Sequence, residues 1–331
     1  MTAAGRATRH AGDAERVELQ PPDISAHRAG NTGIPYVTTL DSGRDGPHAA
    51  IVALMHGNEY SGAIALDHLL SRGIRPTRGK LSLVFANVAA FAGFVPDNPG
   101  AARFIDEDMN RLWAVDDGSG PVSAERARVR ELRPLLGSVD LLLDLHSMQS
   151  ESPPLLLAGP HAKGRAFART LASPATIVCD AGHANGTRLR DSGAFGDPVR
   201  PQNAILAECG QHWKPGTAAM AIDTAYRFLS AIDMLAHDDA AAFLLAGDAP
   251  DHWVEVTGSF VPNHDAAQFR QAYSGMETIP ERGTAIAQDG HHAVRTPYED
   301  CVLVMPARQP VAGLTAVRFG RRRGFDGPDD G

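Results

Sequence analysis

Three short apolar runs, each ending on a polar side chain, constrain this chain more than any other feature. Residues 49–55 run into His56-Gly57-Asn58-Glu59, residues 139–145 into His146, and residues 204–207 into Glu208. Runs of this length, rich in Val, Leu and Ile and bounded by turn residues, predict strands buried on both faces. A further strand is expected over 81–88. Helical periodicity lies between the runs, over 61–70, 123–136 and 217–235, with Ser123 placed to cap the second of these. Strands alternating with helices predict an α/β fold, a three-layer sandwich on a mixed, largely parallel sheet. Chemistry in such sheets gathers at the carboxyl ends of the strands, which is where His56, His146 and Glu208 fall.

The 331 residues suffice for about two domains, and 43% hydrophobic against 21% charged residues allows a sizeable core. Residues 1–22 lack periodicity and are expected to form a mobile tail, followed by a catalytic domain over 23–240. A linker-like stretch over 246–251 introduces strand candidates at 253–256, 284–287, 302–305 and 315–319. These predict a small β domain over 247–322, with 323–331 loose. A net charge of −8 argues against a nucleic-acid footprint. Three scattered cysteines fit neither a disulfide framework nor a zinc knuckle. With no long apolar run and no signal-like start, a cytoplasmic protein that does not engage a membrane is expected. Self-association is left open.

His56 and Glu59 sit on one strand-to-helix turn, where Gly57 permits a sharp bend and both side chains can aim at one point. Histidine and glutamate are ordinary zinc ligands. The plainer alternative is a buried histidine beside a carboxylate favoured by a helix N-terminus. Asp144 is polar inside an apolar strand, and a hydrogen bond to the imidazole of His146 would satisfy it. An ordinary strand-end Asp-His pair is the competing reading. His56, Glu59 and His146 together leave one coordination position open, the mark of a catalytic metal site. Glu208 then suits a general acid/base, against the alternative of a strand-end carboxylate paired to arginine. Residues 103–111 read as a long loop in which Arg103 and Arg111 can hold carboxylates, or as a solvated charge run.

In this order, His-Gly-Asn-Glu after a strand, an Arg followed by Asp-x-Asn-Arg, a strand-end Asp-Leu-His and Glu-x-Gly resemble the succinylglutamate desuccinylase/aspartoacylase family, a branch of the M14 zinc carboxypeptidase-like fold. The resemblance spans residues 51–229. It implies one Zn2+ per chain on His56, Glu59 and His146, with Glu208 as general acid/base. It also implies that Arg103 polarises the scissile carbonyl or binds the carboxylate, that Asn110 and Arg111 bind the substrate carboxylate, and that Tyr298 reaches the substrate from the β domain. A family arginine matches Arg188 or Arg190. The small β domain would partly cover the site. The implied activity is a zinc-dependent amidohydrolase that deacylates a small N-acyl amino acid. A metallocarboxypeptidase or amidase on a peptide-like substrate, and a non-catalytic zinc-binding protein, are the alternatives. Met109 replaces the more usual Leu, a tolerable swap. The chain length and Gln211-His212-Trp213 resemble bacterial relatives whose substrates are often unassigned, so the family's named substrates do not transfer automatically.

Overall fold

The computed structural model describes residues 16–114, 120–182 and 185–325. The first elements are β1 (Val37–Asp41), β2 (His48–Ala53), α1 (Ser61–Ser71), β3 (Lys80–Phe85), α2 (Val88–Ala92) and α3 (Ala124–Leu136). They are followed by β4 (Leu141–Met148), β5 (Leu155–Leu157), α4 (Ala162–Leu171), β6 (Thr176–Cys179), α5 (Gly193–Gly196), β7 (Asn203–Gln211) and α6 (Pro215–Ala231). The remaining strands are β8 (His252–Phe260), β9 (Gln268–Phe269), β10 (Glu277–Ile279), β11 (Ala285–Asp289), β12 (His292–Arg295), β13 (Cys301–Val304) and β14 (Val317–Gly324).

Eleven strands form one sheet in the order β1-β3-β2-β4-β7-β5-β6-β8-β14-β13-β10. At its centre β3, β2, β4 and β7 are parallel neighbours. Their apolar runs are buried on both faces because helices cover both. On one side α1 and α6 pack with Leu66, Leu69, Tyr226 and Phe228 against Ile51, Leu143 and Ile205. On the other, Val129, Leu132 and Leu136 of α3 meet Val52, Val84 and Leu142. Ser123 caps α3, its hydroxyl accepting from Arg126 N at 3.1 Å. The expected α/β sandwich is therefore present.

The C-terminal part departs from the sequence expectation in its connection. It holds its own three-stranded antiparallel sheet, β12-β11-β9, but its other strands extend the central sheet. Strand β8 makes the join, pairing parallel with β6 on one edge and antiparallel with β14 on the other. Strand β14 runs through Arg321–Arg323 to Gly324, so Arg323 and Gly324, expected to be loose, are instead strand, and its arginines lie on an exposed edge. Residues 326–331, and the 1–15 portion of the expected N-terminal tail, lie outside the described residues. The rest of that tail is docked. Val17 and Leu19 pack on the core, the Leu19 amide donates to Trp213 O at 2.8 Å, and the Tyr60 hydroxyl donates to Leu19 O at 2.7 Å. The strand expected over 81–88 stops at Phe85, because Asn87 caps α2 by accepting from Ala90 N. Among the described residues no helix is long and apolar enough to cross a membrane.

Candidate metal centre and active site

Strands β2, β4 and β7 are adjacent and parallel, so their carboxyl ends lie side by side at the ~4.8 Å strand spacing. His146 and Glu208 are direct partners across β4 and β7. His56 follows β2 after Leu54, whose φ of 61° turns the chain out of the sheet. Gly57 is needed here for close approach and not for a special φ. A Cβ on it would lie 2.3 Å from Phe91 N and 2.5 Å from Ala102 O. The Gly57 amide also donates to Arg103 O at 3.1 Å, tying the 103–111 loop to the His56 turn.

The ligand-bearing atoms of His56, Glu59 and His146 lie within 4.8 Å of one another, and all three side chains are buried. Glu59 Oε1 is 2.8 Å from His56 Nδ1, and its Oε2 is 2.9 Å from His146 Nδ1. The opposite ring nitrogens face carboxylates: His56 Nε2 is 2.9 Å from Asp108 Oδ1, and His146 Nε2 is 3.0 Å from Asp144 Oδ2. The Asp144 contact is at ion-pair distance but too oblique for a good hydrogen bond. With the Asp108 hydrogen bond behind His56 and the Asp144 charge behind His146, both Nδ1 atoms face the centre, as the ligating atoms of a metal-binding histidine do. Burial by itself raises the Glu59 carboxyl, yet the two imidazoles hold it well below the usual carboxylate range. Burial lowers His146, and Asp144 and Glu59 more than reverse this. A cation at the centre would displace the proton that His146 holds there. Two imidazole nitrogens and one carboxylate converging in a buried pocket fit a zinc ion.

Glu208 is 6% exposed, and its Oε2 has no hydrogen-bond partner among the described residues. Burial, with Glu59 and Asp144 nearby, pushes its carboxyl up to about 8 against the pull of His146 and Arg103. Glu208 and the three candidate ligands line one cavity of about 600 Å³. Its other walls include Arg103, Asn110 and Arg111 from the loop, Arg188, and Val261, Met305, Leu314 and Arg318 from the C-terminal part.

Residues 45–200 match the model of the succinylglutamate desuccinylase/aspartoacylase catalytic domain. This catalytic segment belongs to the succinylglutamate desuccinylase/aspartoacylase family. No curated protein matches the chain by sequence. The chain is similar in structure to the succinylglutamate desuccinylase from Vibrio cholerae (TM-score 0.64, 18% identity, covering 88% of this chain and 87% of that one). It is also similar to the succinylglutamate desuccinylase from Chromobacterium violaceum (TM-score 0.62, 18% identity, 89% and 90% covered). A third likeness is to the product-bound ectoine utilization protein EutE (DoeB) from Ruegeria pomeroyi (TM-score 0.58, 15% identity, 88% and 92% covered). At these identities the likeness shows a shared fold.

Most residues matched to the family pattern meet in the cavity. Arg103 leans into the centre, with Nη1 3.0 Å from Glu59 Oε1 and Nη2 2.9 Å from His56 Nε2. Asn110 accepts from Leu189 N at 3.0 Å, and Arg111 Nη1 donates to Asn110 O at 2.9 Å. Tyr298 is placed elsewhere, which corrects the expectation. It does not line this cavity but packs on the small β core, its hydroxyl 2.6 Å from Thr257 Oγ1 and Arg321 over its ring. The choice between Arg188 and Arg190 is decided by packing. Arg188 lines the cavity, whereas Arg190 points away and donates to the carbonyls of Ala158 and Ala204 at 3.0 and 3.1 Å.

Sequence reasoning missed Asp108, although it stands inside the Asp-x-Asn-Arg motif. It also missed Asp180, Asp191, His212 and Arg318, which come from four separate segments and have no local signature. Asp180 receives both Nη atoms of Arg188, at 2.5 and 3.0 Å, and faces Arg318 Nε at 3.5 Å. Asp191 pairs with Arg188 and Arg190. Replacing Asp180 with Ala leaves Arg188 buried with one carboxylate partner fewer. Breaking a buried pair in this way is expected to destabilise the fold by ~3–5 kcal/mol. Urea unfolding checks this, and a loss below 1 kcal/mol would show that the network does not hold the cavity wall.

Proposed function

We propose that the protein is a zinc-dependent amidohydrolase that removes the acyl group from a small N-acyl amino acid. The observation that carries this reading is the meeting, at three adjacent strand ends, of a His56-Glu59-His146 donor set and a separate buried carboxylate, Glu208. A protein that only stored or bound metal would have no use for that fourth group. The family match supports the reading, since the family is named for desuccinylase and aspartoacylase activities.

A zinc ion on the three donors supplies Lewis acidity, which polarises a carbonyl and makes an attacking water acidic. Glu208 accepts the proton of that water as it adds to the amide carbonyl, then delivers it to the leaving nitrogen. Arg103, already beside Glu59 and His56, swings its guanidinium onto the oxygen where negative charge develops. Arg111, with Asn110 fixing its loop, binds the substrate carboxylate through its planar fork. Asp108 and Asp144 orient the two imidazoles. Residues 305–307 and 313–315 close over the cavity and limit what enters.

The test is amine release from a panel of N-acyl amino acids and short peptides, with and without a chelator. Release from one acyl-amino acid class, lost with the chelator, is the expected result. Release confined to peptides would move the protein to a carboxypeptidase activity. No release from zinc-loaded protein would overturn the reading.

A further inference from the structure

His212 lines the same cavity yet has no part in the mechanism above. It stands three residues beyond the acid/base neighbour Cys209, just past the β-bulge that shifts the register between β4 and β7. Its position is fixed from several sides. The His212 amide donates to Met148 O at 2.9 Å, and its ring lies against Trp213, whose Nε1 donates to Asn58 O at 3.1 Å. Its Nδ1 is 2.8 Å from Ser147 Oγ. Ser147 in turn follows His146 and gives its own amide to Glu59 Oε2 at 3.2 Å.

The tautomer follows from hydrogen-bond counting. The Ser147 hydroxyl is buried, and Nδ1 of His212 is its one partner among the described residues. A buried hydroxyl hydrogen needs an acceptor. Ser147 therefore donates to Nδ1, and the ring proton sits on Nε2. That atom has no hydrogen-bond partner among the described residues and is not occluded, so it opens as a donor onto the cavity.

We infer that His212 is a neutral oxyanion donor, its Nε2–H hydrogen-bonded to the oxygen of the scissile carbonyl as negative charge develops there. The inference rests on the amidohydrolase reading and adds a catalytic residue to it. Burial keeps the ring neutral, pushing its pKa down to about 4, with Glu59 opposing and Arg103, His56 and His146 assisting. His212 shares the cavity wall with Arg103, Glu208 and the three candidate ligands. A neutral donor suits this place, because an imidazolium would repel the cation beside it and give up its proton instead of a hydrogen bond.

Two measurements test this. The first needs no substrate: 15N chemical shifts of the His212 ring in the full-length, zinc-loaded protein should report the neutral Nε2–H tautomer. An Nδ1–H tautomer would overturn the inference. The second is steady-state kinetics on the best substrate of the panel. His212→Phe should lower kcat by on the order of 10²-fold, the usual loss for one oxyanion donor, with KM within about three-fold and zinc still bound. His212→Gln, which keeps an N–H donor, should recover part of that loss. Ser147→Ala, which frees the tautomer, should lower kcat less than His212→Phe. An unchanged kcat in His212→Phe, or a raised KM with kcat intact, would remove His212 from the oxyanion site. If His212→Phe loses zinc, His212→Gln decides: kcat no better than that of a metal-free sample overturns the inference. Wild-type protein that releases no amine from any substrate defeats the amidohydrolase reading itself, a result distinguishable from the others because it precedes any variant.

Discussion

Glu208→Gln is expected to lower kcat by on the order of 10³- to 10⁴-fold, the upper range for loss of one general acid/base. The amide cannot accept the proton of the attacking water and cannot hand one to the leaving nitrogen. It is nearly isosteric, and Glu208 is outside the donor set, so zinc should remain bound at wild-type stoichiometry. The pH dependence provides a second readout. Glu208 must be ionised to act as base, and burial pushes its pKa up to about 8. A cation on the neighbouring donors would pull in the opposite direction, because it would stabilise the carboxylate. In either balance kcat/KM falls as pH drops through the pKa of Glu208, and this acid limb should vanish in the residual activity of Glu208→Gln. Retained turnover in the variant, or loss of its metal, would count against the role assigned.

Loss of one ligand has the other large effect. His146→Ala should fall to background activity and bind no stoichiometric zinc, since two donors remain where three are needed to hold a catalytic ion. Its stability should suffer as well. Asp144 is fully buried, and in the metal-free protein the protonated His146 is the charge beside it. Removing the imidazole strands that carboxylate, which for a buried pair costs ~3–5 kcal/mol. Thermal melts with and without zinc separate the two consequences. At free metal near 100 times Kd the wild type should gain about 2.7 kcal/mol from linkage, and the variant nothing. Full zinc content in His146→Ala would mean that the metal is held by other residues.

Those expected effects trace back to features that differ in how far they can be read from the chain alone. The apolar runs before His56, His146 and Glu208 needed only hydrophobic patterning to be recognised as buried strands. A parallel sheet then places their ends together by geometry. Hence the α/β class, and the meeting of His56, Glu59, His146 and Glu208 at neighbouring strand ends, were legible from the chain, as was the placing of Asp144 beside His146. The loop residues Arg103, Asn110 and Arg111 were legible only through the family pattern. A loop without periodicity carries no local rule for where its side chains point.

Other features depended on tertiary packing. The sequence offered Gly57 as a bend, whereas the folded chain needs it because α2 and the 99–102 turn press against it. Arg188 and Arg190 are equivalent as residue types; Asp180, eight residues before Arg188, selects which one faces the cavity. Tyr298 looked like the contribution of the C-terminal segment, but the pairing of β14 with β8 brings Arg318 to the cavity and leaves Tyr298 beside Thr257. The His212 tautomer depends on Ser147, 65 residues away. Patterning is a local property and fixes which segments are buried and where their ends lie. The choice of charged partners is made by long-range contacts, because a buried charge settles wherever the fold supplies its counter-charge.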